Sequence, residues 1–348
     1  MREIHRILDA NFNRAREALR VAEDCGRFAL NDPAITAMAK DLRSDLREML
    51  SAMPVDEMIA SRDTPGDIGT EITSPSEADR SGLPDVAVAA CKRLTESLRT
   101  IEEYGKIIDP GRSLQIERMR YNAYTLEQRL TGRLQVADRI ARTKLYVLIS
   151  SELCAGSLRS KARAALAGGG EVIQLREKNV SDDVFLAFAA ELRELTDEMG
   201  KLFIVNDRPD IAAIVGADGV HLGQHDLPIA EARRLLRPGA AVGRTTRSVD
   251  QARAAVNEGA DYVSIGPIFP SVTKNAGDAL GPDVITDFCR DITVPVIPIG
   301  GITAENVSQV VDAGARRVAV CSAVCGQDDP KQAARAIRAQ IPDIDQDE

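Results

Sequence analysis

The sequence has no long apolar run, no zinc-type cysteine spacing and no cluster of basic residues, and each absence excludes a class of protein. No window approaches the ~18 consecutive apolar residues of a membrane span, and the first residues lack the apolar core of a signal peptide. The six cysteines show neither CxxC nor Cys/His spacing, which predicts reduced core thiols. A net charge of −9 argues against nucleic acid as a partner. We therefore expect a cytoplasmic protein that acts on small molecules.

From Lys144 onward, short β-rich runs alternate with helix-like segments. The runs are KLYVLIS, EVIQLREK, KLFIVND, DGVHLGQ, AAVGRTT, DYVSIGPIF, VPVIPIGGI and RRVAVCSAV. Several are apolar on consecutive residues, as strands buried on both faces are. This pattern predicts an α/β fold, a (β/α)8 TIM barrel over residues 141–348. An open doubly wound sheet is the alternative, and the lack of a G-x-G-x-x-G turn after the first run argues against it.

Residues 1–140 predict a separate all-α helical-bundle domain that contains an internal repeat. NRAREALRVAEDCGR at 13–27 aligns with KRLTESLRTIEEYGK at 92–106, at an offset of 79 residues. Each copy is followed by Asp-Pro and then by a second amphipathic helix, so two helix pairs indicate a four-helix arrangement. Between them, residues 61–85 are polar and rich in Gly and Pro, which predicts a long loop.

One face of each repeated helix is polar, and this face has two interpretations. The first is a solvated surface with ion pairs between residues three or four apart. The second is a polar site between the two repeats, closed by Arg62, Asp63 and Asp67 of the loop. The charges recur in the same order in both copies, and residues 1–140 contain 18 arginines but only three lysines. Such a preference for arginine suits bidentate or phosphate contacts.

Polar side chains occur at the ends of the predicted strands, which is where the active sites of barrel enzymes lie. Gln174, Arg176 and Lys178 alternate along the second strand, so they point the same way, toward the barrel axis or its mouth. An arginine and a lysine that converge there predict an anion such as diphosphate. An internal salt-bridge layer with Glu171 or Glu177 is the alternative.

Two carboxylates follow neighbouring strands and predict a magnesium site. Asp207 ends the third strand beside Asn206, and Asp226 follows the fourth. Such a pair suits a Mg²⁺ ion that shares its coordination shell with water and phosphate oxygens. Capping of the following helix by either aspartate is one alternative. Zinc at His221 and His225 is another, although their i, i+4 spacing does not define one face of a strand and its loop.

Hydroxyl groups, glycines and a third cation follow the later strands. They are Ser271, Thr273 and Lys274 after the sixth strand, Gly300 and Gly301 after the seventh, and CSAV at 321–324 after the eighth. In barrels the loops after strands seven and eight often bind a phosphate through backbone N–H groups. A tight turn without a ligand is the alternative for the glycines. A cation-rich site with no obvious Ser-His or Cys-His pair suits the departure of a good leaving group.

The order of these motifs across residues 144–340 resembles the thiamine phosphate synthase family. The resemblance is carried by QLREK, ND, DGVHLGQHD, DYVSIGPIFPSVTK, PIGGI and VAVCSAV. It implies a transferase that couples 4-amino-5-hydroxymethylpyrimidine diphosphate to 4-methyl-5-(2-phosphoethyl)thiazole, or to its carboxylated form, and releases diphosphate. The family's mechanism is dissociative, so diphosphate leaves before the thiazole nitrogen attacks.

The same resemblance implies residue roles. Gln174 would contact the aminopyrimidine, while Arg176, Lys178, Asn206 and Lys274 would hold the diphosphate. Arg176, Lys178 and Lys274 would be the catalytic residues, and Asp207 and Asp226 would bind one Mg²⁺. Ser271, Thr273, Gly301 and the backbone near Ser322 would hold the thiazole phosphate, and Thr245 and Cys321 complete the substrate-binding set. The family usually has a serine where Thr245 stands and a threonine where Ser271 stands; both replacements keep a hydroxyl group, and Arg244 is an unusual neighbour.

The N-terminal half is similar to helical domains fused to some thiamine phosphate synthases. NFNRAREALRVAEDCGRF, RDTPGD and ESLRTIEEYGK carry this resemblance, which implies a kinase that uses ATP to convert hydroxymethylpyrimidine phosphate to the diphosphate. No P-loop or kinase Gly-rich loop occurs. The candidate residues, which are repeated or lie in the loop, are Arg20, Glu23, Arg62, Asp63, Arg99 and Glu102.

Three alternatives stay open beside this interpretation. The helical half could be a non-catalytic oligomerisation or docking module, and a homo-oligomer is compatible with the sequence. The barrel could act on a related thiazole metabolite. The whole chain could bind thiamine without catalysis, although a binding protein gains little from two metal-positioning carboxylates beside three cations.

Overall fold

The computed structural model describes residues 1–68, 79–154, 156–270 and 278–343. They form two compact units, Met1–Gln135 and Val136–Glu348, and each unit has its own hydrophobic core. Among the described residues, no helix combines the length and the apolar character that crossing a bilayer requires.

The first unit is helical. Its elements are α1 (Arg2–Asp24), a π-helical turn (Cys25–Ala29), α2 (Pro33–Ser51), α3 (Val55–Ala60), α4 (Leu83–Ile108), a 3-10 turn (Pro110–Arg112) and α5 (Ser113–Ala141). Helix α5 continues past Gln135, so its last residues belong to the second unit. The two Asp-Pro pairs of the sequence mark the second helix of each repeat. Asp32 caps α2, and its Oδ1 atom accepts the N–H groups of Ala34 at 2.8 Å and Ile35 at 3.0 Å. Asp109 accepts the N–H of Gly111 at 3.0 Å in the same way.

The internal repeat extends into the core of this unit. At an offset of 77 residues, Ala39, Leu42, Leu46, Met49 and Met53 correspond to Ile116, Met119, Ala123, Leu126 and Leu130, and all ten side chains are buried. Each half also contains an ion pair between its first and second helix, Glu23 with Arg43 and Glu102 with Arg120. Both glutamates are at most 5% exposed. The predicted all-α unit with an internal repeat is therefore confirmed.

The second unit contains eight parallel strands. They are β1 (Leu145–Ile149), β2 (Val172–Leu175), β3 (Leu202–Asn206), β4 (Gly219–Leu222), β5 (Ala241–Thr246), β6 (Tyr262–Ile265), β7 (Val296–Pro298) and β8 (Val318–Val320). Consecutive strands pair from β1 to β7, and β8 pairs with β1. An isolated bridge between Ile299 and Ala319 joins the two remaining edges. The sheet is thus a nearly closed barrel, which confirms the predicted TIM fold over the open sheet.

Helices alternate with these strands. They are α6 (Leu158–Ala167), α7 (Asp182–Glu198), α8 (Pro209–Ile214), α9 (Ile229–Leu235), α10 (Val249–Asn257), α11 (Val284–Asp291), α12 (Val307–Asp312), α13 (Ser322–Cys325) and α14 (Pro330–Arg338). Alternate strand residues face these helices or the barrel interior. The outward face includes Val147, Ile173 and Phe203, and the interior cluster includes Tyr146, Ile204 and Tyr262. The interior cluster also contains Val136 and Ile140 from the end of α5.

Candidate functional site

A cavity of about 160 Å³ lies at the carboxyl ends of the barrel strands. The predicted site residues that line it are Gln174, Arg176, Asn206, Thr245, Gly301, Cys321 and Ser322. They come from β2, β3, β5 and the loops after β2, β7 and β8, so the fold brings together side chains that are far apart in the sequence. The lining also includes five polar residues that were not predicted as substrate contacts, namely Tyr146, His221, Tyr262, Ser264 and Thr303.

A chain of buried hydrogen bonds begins at Gln174. Its Nε2 atom donates to the Tyr146 hydroxyl at 2.8 Å, and the Tyr146 and Tyr262 hydroxyls lie 3.0 Å apart. Burial raises the pKa of both tyrosines above the ordinary value, so both hydroxyls stay protonated at neutral pH. Because this contact uses the amide nitrogen, the carbonyl oxygen of Gln174 is the atom available to a donor group on a ligand.

The chain continues to His221. Its Nδ1 atom lies 3.2 Å from the Tyr262 hydroxyl, and its Nε2 atom lies 2.9 Å from Thr245 Oγ1 and 3.2 Å from Ser264 Oγ. Buried polar atoms need such partners, and here they supply them to one another. Thr245 and Gln174 therefore stand at opposite ends of one hydrogen-bonded layer across the barrel.

The surroundings of His221 and His225 argue against the zinc alternative. Both ring nitrogens of His221 are within hydrogen-bond distance of hydroxyl groups, whereas His225 is exposed. No group of three or more His, Cys, Asp or Glu side chains suited to a metal occurs within the described ranges. The two histidines therefore do not form a common site.

One glycine explains how Tyr262 fits inside the barrel. Gly243 of β5 lies opposite Tyr262 of β6 in the strand register. A Cβ atom at position 243 would lie 2.1 Å from the tyrosine ring. Glycine inside a strand often marks such a close approach, and here it makes room for the central hydroxyl of the buried layer.

The two cations predicted after Gln174 have different surroundings. Strand β2 ends at Leu175, so Arg176 and Lys178 lie in the following loop and not along the strand, which corrects the predicted boundary. Arg176 is half-buried and lines the cavity. Lys178 is exposed and lies outside the lining. The alternation of β2 therefore aims Gln174 inward, and the loop determines the positions of the two cations.

The glutamates of the alternative salt-bridge layer have other functions. Glu171 Oε2 accepts the backbone N–H groups of Lys144 at 2.6 Å and Leu145 at 3.2 Å. Glu177 accepts the N–H and the hydroxyl of Ser151 at 2.5 and 2.9 Å. Both glutamates thus hold the two ends of β1, and this arrangement contradicts the salt-bridge alternative.

The two aspartates predicted to bind magnesium follow neighbouring strands. Asn206 of β3 pairs with His221 of β4, and the N–H of Asp207 donates to the His221 carbonyl at 2.9 Å. Asp207 has a φ of 61°, a left-handed conformation that only the surrounding structure can maintain in a residue with a side chain. Asp226 Oδ2 accepts the N–H of Gly223 at 2.5 Å. Asp207 is thus held through its backbone, and the Asp226 carboxylate is held by a contact within its own loop.

Contrary to the helix-capping alternative, neither aspartate occupies the N-cap position of the following helix. The N-cap of α8 is Arg208 and the N-cap of α9 is Pro228. Two oxygen donors on adjacent strand ends match the donor set that Mg²⁺ uses when phosphate oxygens and water complete its shell.

Part of the predicted anion site falls outside the described residues. Ser271, Thr273 and Lys274 belong to the segment 271–277, which the structure does not describe. The glycines on the other side of the cavity have a backbone reason to be glycine. Gly301 has a φ of 68°, and a Cβ there would lie 2.6 Å from the Pro270 carbonyl oxygen. Gly301 therefore lies in a tight turn, and it also lines the cavity.

Cys321 is the sulfur group of the cavity. A hydrogen bond from Cys325 lowers the pKa of the Cys321 thiol below its usual value, burial acts in the opposite direction, and the charge of Arg176 lowers the pKa further. Cys321 is therefore more readily ionised than a typical half-buried cysteine.

The candidates in the helical unit fall into separate groups. Glu23 and Glu102 are the buried members of the repeated ion pairs. Arg99 is exposed and lies 2.8 Å from Glu102. In the loop, Arg62 forms a bidentate contact with Asp9 of α1, with both distances 2.7 Å. Asp63 accepts the N–H of Gly66 at 3.1 Å.

Arg20 lines a groove of about 510 Å³. All the lining residues belong to α1 and α2. This groove therefore lies within the first repeat, whereas the sequence predicted a polar site between the two repeats.

Comparison with known proteins assigns both units to families. Residues 145–324 match the family described as Thiamine monophosphate synthase, and residues 6–129 match the ThiD2 family. The thiamine-phosphate synthase of a Nostoc species is 40% identical over 338 residues, 97% of this chain and 94% of the relative. That of a Synechocystis species is 40% identical over 341 residues, 98% and 97% of the two chains. The structure of thiamine phosphate pyrophosphorylase from Pyrococcus furiosus matches with 34% identity and a TM-score of 0.53, covering 58% of this chain and 96% of that one.

Proposed function

The chain belongs to the thiamine monophosphate synthase family, and we propose that its two units catalyse consecutive steps of one synthesis. The barrel is that of a thiamine phosphate synthase, a transferase. The observation that carries this conclusion furthest is the family match over residues 145–324 together with relatives of this activity that align over nearly the full length.

In the barrel we propose that the cavity binds both substrates at once. The carbonyl oxygen of Gln174 would accept a hydrogen bond from the amino group of the pyrimidine, and Arg176 and Asn206 would hold its diphosphate. Lys178 and Lys274 would add positive charge from their loops. Thr245, Gly301, Cys321 and the backbone at Ser322 would hold the thiazole phosphate, with Ser271 and Thr273 as further hydroxyl donors.

We propose a dissociative reaction in this cavity. The bond between the pyrimidine methylene carbon and the diphosphate oxygen breaks first, and the ring amino group stabilises the cation that remains. The thiazole nitrogen then forms the new C–N bond. This sequence needs charge stabilisation and alignment, not a general base. The buried layer supports this proposal, because its two tyrosines stay neutral and the Tyr146 hydroxyl accepts a hydrogen bond that fixes the amide of Gln174.

We further propose that Asp207 and Asp226 hold one Mg²⁺. Their placement after neighbouring strands, outside the N-cap positions of α8 and α9, supports this assignment. A bound Mg²⁺ would neutralise part of the charge on the departing diphosphate. Asp207 and Asp226 themselves supply the oxygen donors, and the loop contacts at Gly223 and His221 keep both residues in place.

For the helical unit we propose the preceding step, transfer of a phosphoryl group from ATP to hydroxymethylpyrimidine phosphate. Its product is the diphosphate that the barrel consumes. The match of residues 6–129 to the ThiD2 family supports this activity. A docking or oligomerisation module is the second candidate, and the absence of a P-loop from the sequence favours it.

One assay tests these activities together. Full-length protein with Mg²⁺ and thiazole phosphate receives either the pyrimidine diphosphate, or the pyrimidine monophosphate with ATP, and thiamine phosphate is measured. We expect product from both mixtures. Product from the diphosphate alone would reject the kinase and leave the docking module. Product from neither would reject the proposed substrates of the barrel and favour a related thiazole metabolite.

A further inference from the structure

The groove between α1 and α2 concentrates positive charge in a chain whose net charge is −9. Its charged lining residues are Arg16, Arg20, Arg43, Arg47 and Glu17. Four arginines thus share one groove with a single carboxylate. Like charges this close repel one another, and an anion in the groove would offset that repulsion.

Three of these five charged side chains already have partners. Arg43 pairs with the buried Glu23, and Glu17 lies 3.4 Å from Arg93. Arg16 Nη2 donates to the Asn13 amide oxygen at 2.8 Å.

Arg20 and Arg47 remain without such a partner. In the part of the chain that the structure describes, neither forms a salt bridge or a side-chain hydrogen bond. Two guanidinium groups are therefore available to a ligand that enters the groove.

The groove is apolar beneath these cations. Phe12 and Leu46 are buried, and Leu50 is half-buried. A purely ionic surface does not need such a floor. Guanidinium groups above apolar side chains suit a ligand that has a phosphate at one end and a flat ring at the other, because the ring covers apolar area while the phosphate accepts paired N–H donors.

The second repeat provides an internal comparison. At the matching position between α4 and α5, Lys92 and Glu127 replace Asn13 and Leu50, and they form an ion pair of 2.8 Å between the two helices. Tyr124 replaces Arg47, and Arg120 lies over its ring at 5.8 Å. The buried Glu–Arg pair is kept in both repeats. Arg47 has no arginine counterpart in the second repeat, and Arg99, the counterpart of Arg20, pairs with Glu102 and Glu103. The fold therefore does not require Arg47.

The face of α1 that lines the groove also contacts the loop that contains the RDTPGD motif. Asn13 Nδ2 donates to the Asp9 carbonyl at 2.9 Å, and Asp9 holds Arg62 through the bidentate contact. The loop is thus anchored one helical turn from the groove. Arg20 and Arg62, which the sequence selected for different reasons, lie along one polar face of α1.

From these observations we propose that the groove binds a phosphate ester of a nitrogen heterocycle, with Arg20 and Arg47 as its phosphate contacts. The proposal rests on the kinase activity proposed for the helical unit and names its phosphate-binding residues. Both the pyrimidine monophosphate and ATP have this chemistry, and the binding experiment separates them.

The test is equilibrium binding to the full-length protein, with the pyrimidine monophosphate and a non-hydrolysable ATP analogue as separate probes. We expect Arg20→Ala and Arg47→Ala each to weaken the affinity for one probe about tenfold, because each loses a charge-assisted contact. The matched control is Arg14→Ala, an exposed arginine of α1 that does not line the groove. Urea unfolding followed by helix signal checks that the helical unit of every variant is folded, and thiamine phosphate formation from the pyrimidine diphosphate checks the barrel.

The outcomes separate this proposal from the kinase. If the wild-type protein binds neither probe, or if the double variant Arg20→Ala/Arg47→Ala binds both within twofold of wild type, the groove is not the site. Arginine-dependent binding by a wild-type protein that forms no pyrimidine diphosphate supports the groove and rejects the kinase. Diphosphate formation with unchanged kcat and KM in the double variant supports the kinase and rejects the groove.

Discussion

The barrel cavity and the helical groove both collect polar side chains, but they do so under different physical constraints. In the cavity, Gln174 donates to Tyr146, and Tyr262 lies between Tyr146 and His221, so these buried groups satisfy one another through hydrogen bonds of 2.8 to 3.2 Å. In the groove, Arg20 and Arg47 are exposed to water, which satisfies them at little cost. A polar residue inside a barrel therefore indicates a functional site by itself. An arginine on a helix indicates a binding function only when the second repeat lacks it, as at Arg47, or pairs it with carboxylates, as at Arg99 opposite Arg20.

The comparison predicts that the two regions perform separable chemistry, and Arg176→Ala gives the largest expected effect. Arg176 is the predicted cation that lines the cavity, so its removal should lower kcat/KM for thiamine phosphate formation about 100- to 1000-fold. Formation of the pyrimidine diphosphate from the monophosphate and ATP should stay within twofold of wild type. Lys178→Ala, at an exposed position, should cost less than Arg176→Ala. Equal losses of both activities in Arg176→Ala would contradict separate sites.

The second prediction concerns the ion pair that the two helical repeats share. Glu102→Ala leaves Arg120 with little solvent exposure and no carboxylate partner, and we expect a loss of about 3 kcal/mol in the free energy of unfolding of the helical unit. Glu23→Ala should cost a similar amount, because Glu23 is equally buried and pairs with Arg43.

The control for this pair is Glu103→Ala, an exposed neighbour whose loss should cost less than about 0.5 kcal/mol. Urea unfolding followed by helix signal measures all three variants. A large difference between Glu23→Ala and Glu102→Ala would show that the two repeats are not energetically equivalent.

The sequence predicted the barrel and seven of the residues that line its cavity, because the order of the strands and the polar residues at their ends are visible in the sequence. Gln174 and Asn206 could be placed at strand ends from the sequence alone. Tyr146 and Tyr262 could not, because an apolar strand buried on both faces does not reveal which of its residues point inward. The missed signal was Gly243, since a glycine inside the neighbouring strand indicates that a large side chain fills the space.

The helical groove was harder to predict from sequence. The offset of 79 aligns Arg20 with Arg99, which suggests that both halves carry the same charges. The difference appears only in the second helices, where the offset is 77 and Arg47 corresponds to Tyr124. Packing of α1 against α2 determines which of these side chains share a groove, and helical periodicity alone does not contain that information.

The third prediction tests whether the buried hydrogen-bonded layer of the barrel, through Tyr146, positions Gln174. Tyr146→Phe removes the hydroxyl that accepts from Gln174 Nε2, and we expect kcat/KM for the pyrimidine diphosphate to fall about tenfold. Gln174→Ala should fall by at least as much, and the double variant should lose little more than Gln174→Ala alone, because both changes remove one interaction. The affinity of the helical groove for its ligand should not change. Fully additive losses would show that Tyr146 acts independently of Gln174.

The smallest expected effect compares one cysteine from each unit. The pKa of Cys321 is lowered by the hydrogen bond from Cys325, so its thiolate forms at a lower pH than in an ordinary cysteine. Burial in the helical core raises the pKa of Cys91 to about 12, so its thiol stays protonated and unreactive near neutral pH. We expect iodoacetamide at pH 7.5 to modify Cys321 before Cys91, as measured by peptide mass spectrometry.

Because Cys321 lines the cavity, its modification should inhibit thiamine phosphate formation, and bound substrates should slow the modification. If Cys91 reacts as fast as Cys321, or if the pH midpoint for Cys321 lies at or above that of a free cysteine, the electrostatic difference between the barrel mouth and the helical core is not as the structure indicates.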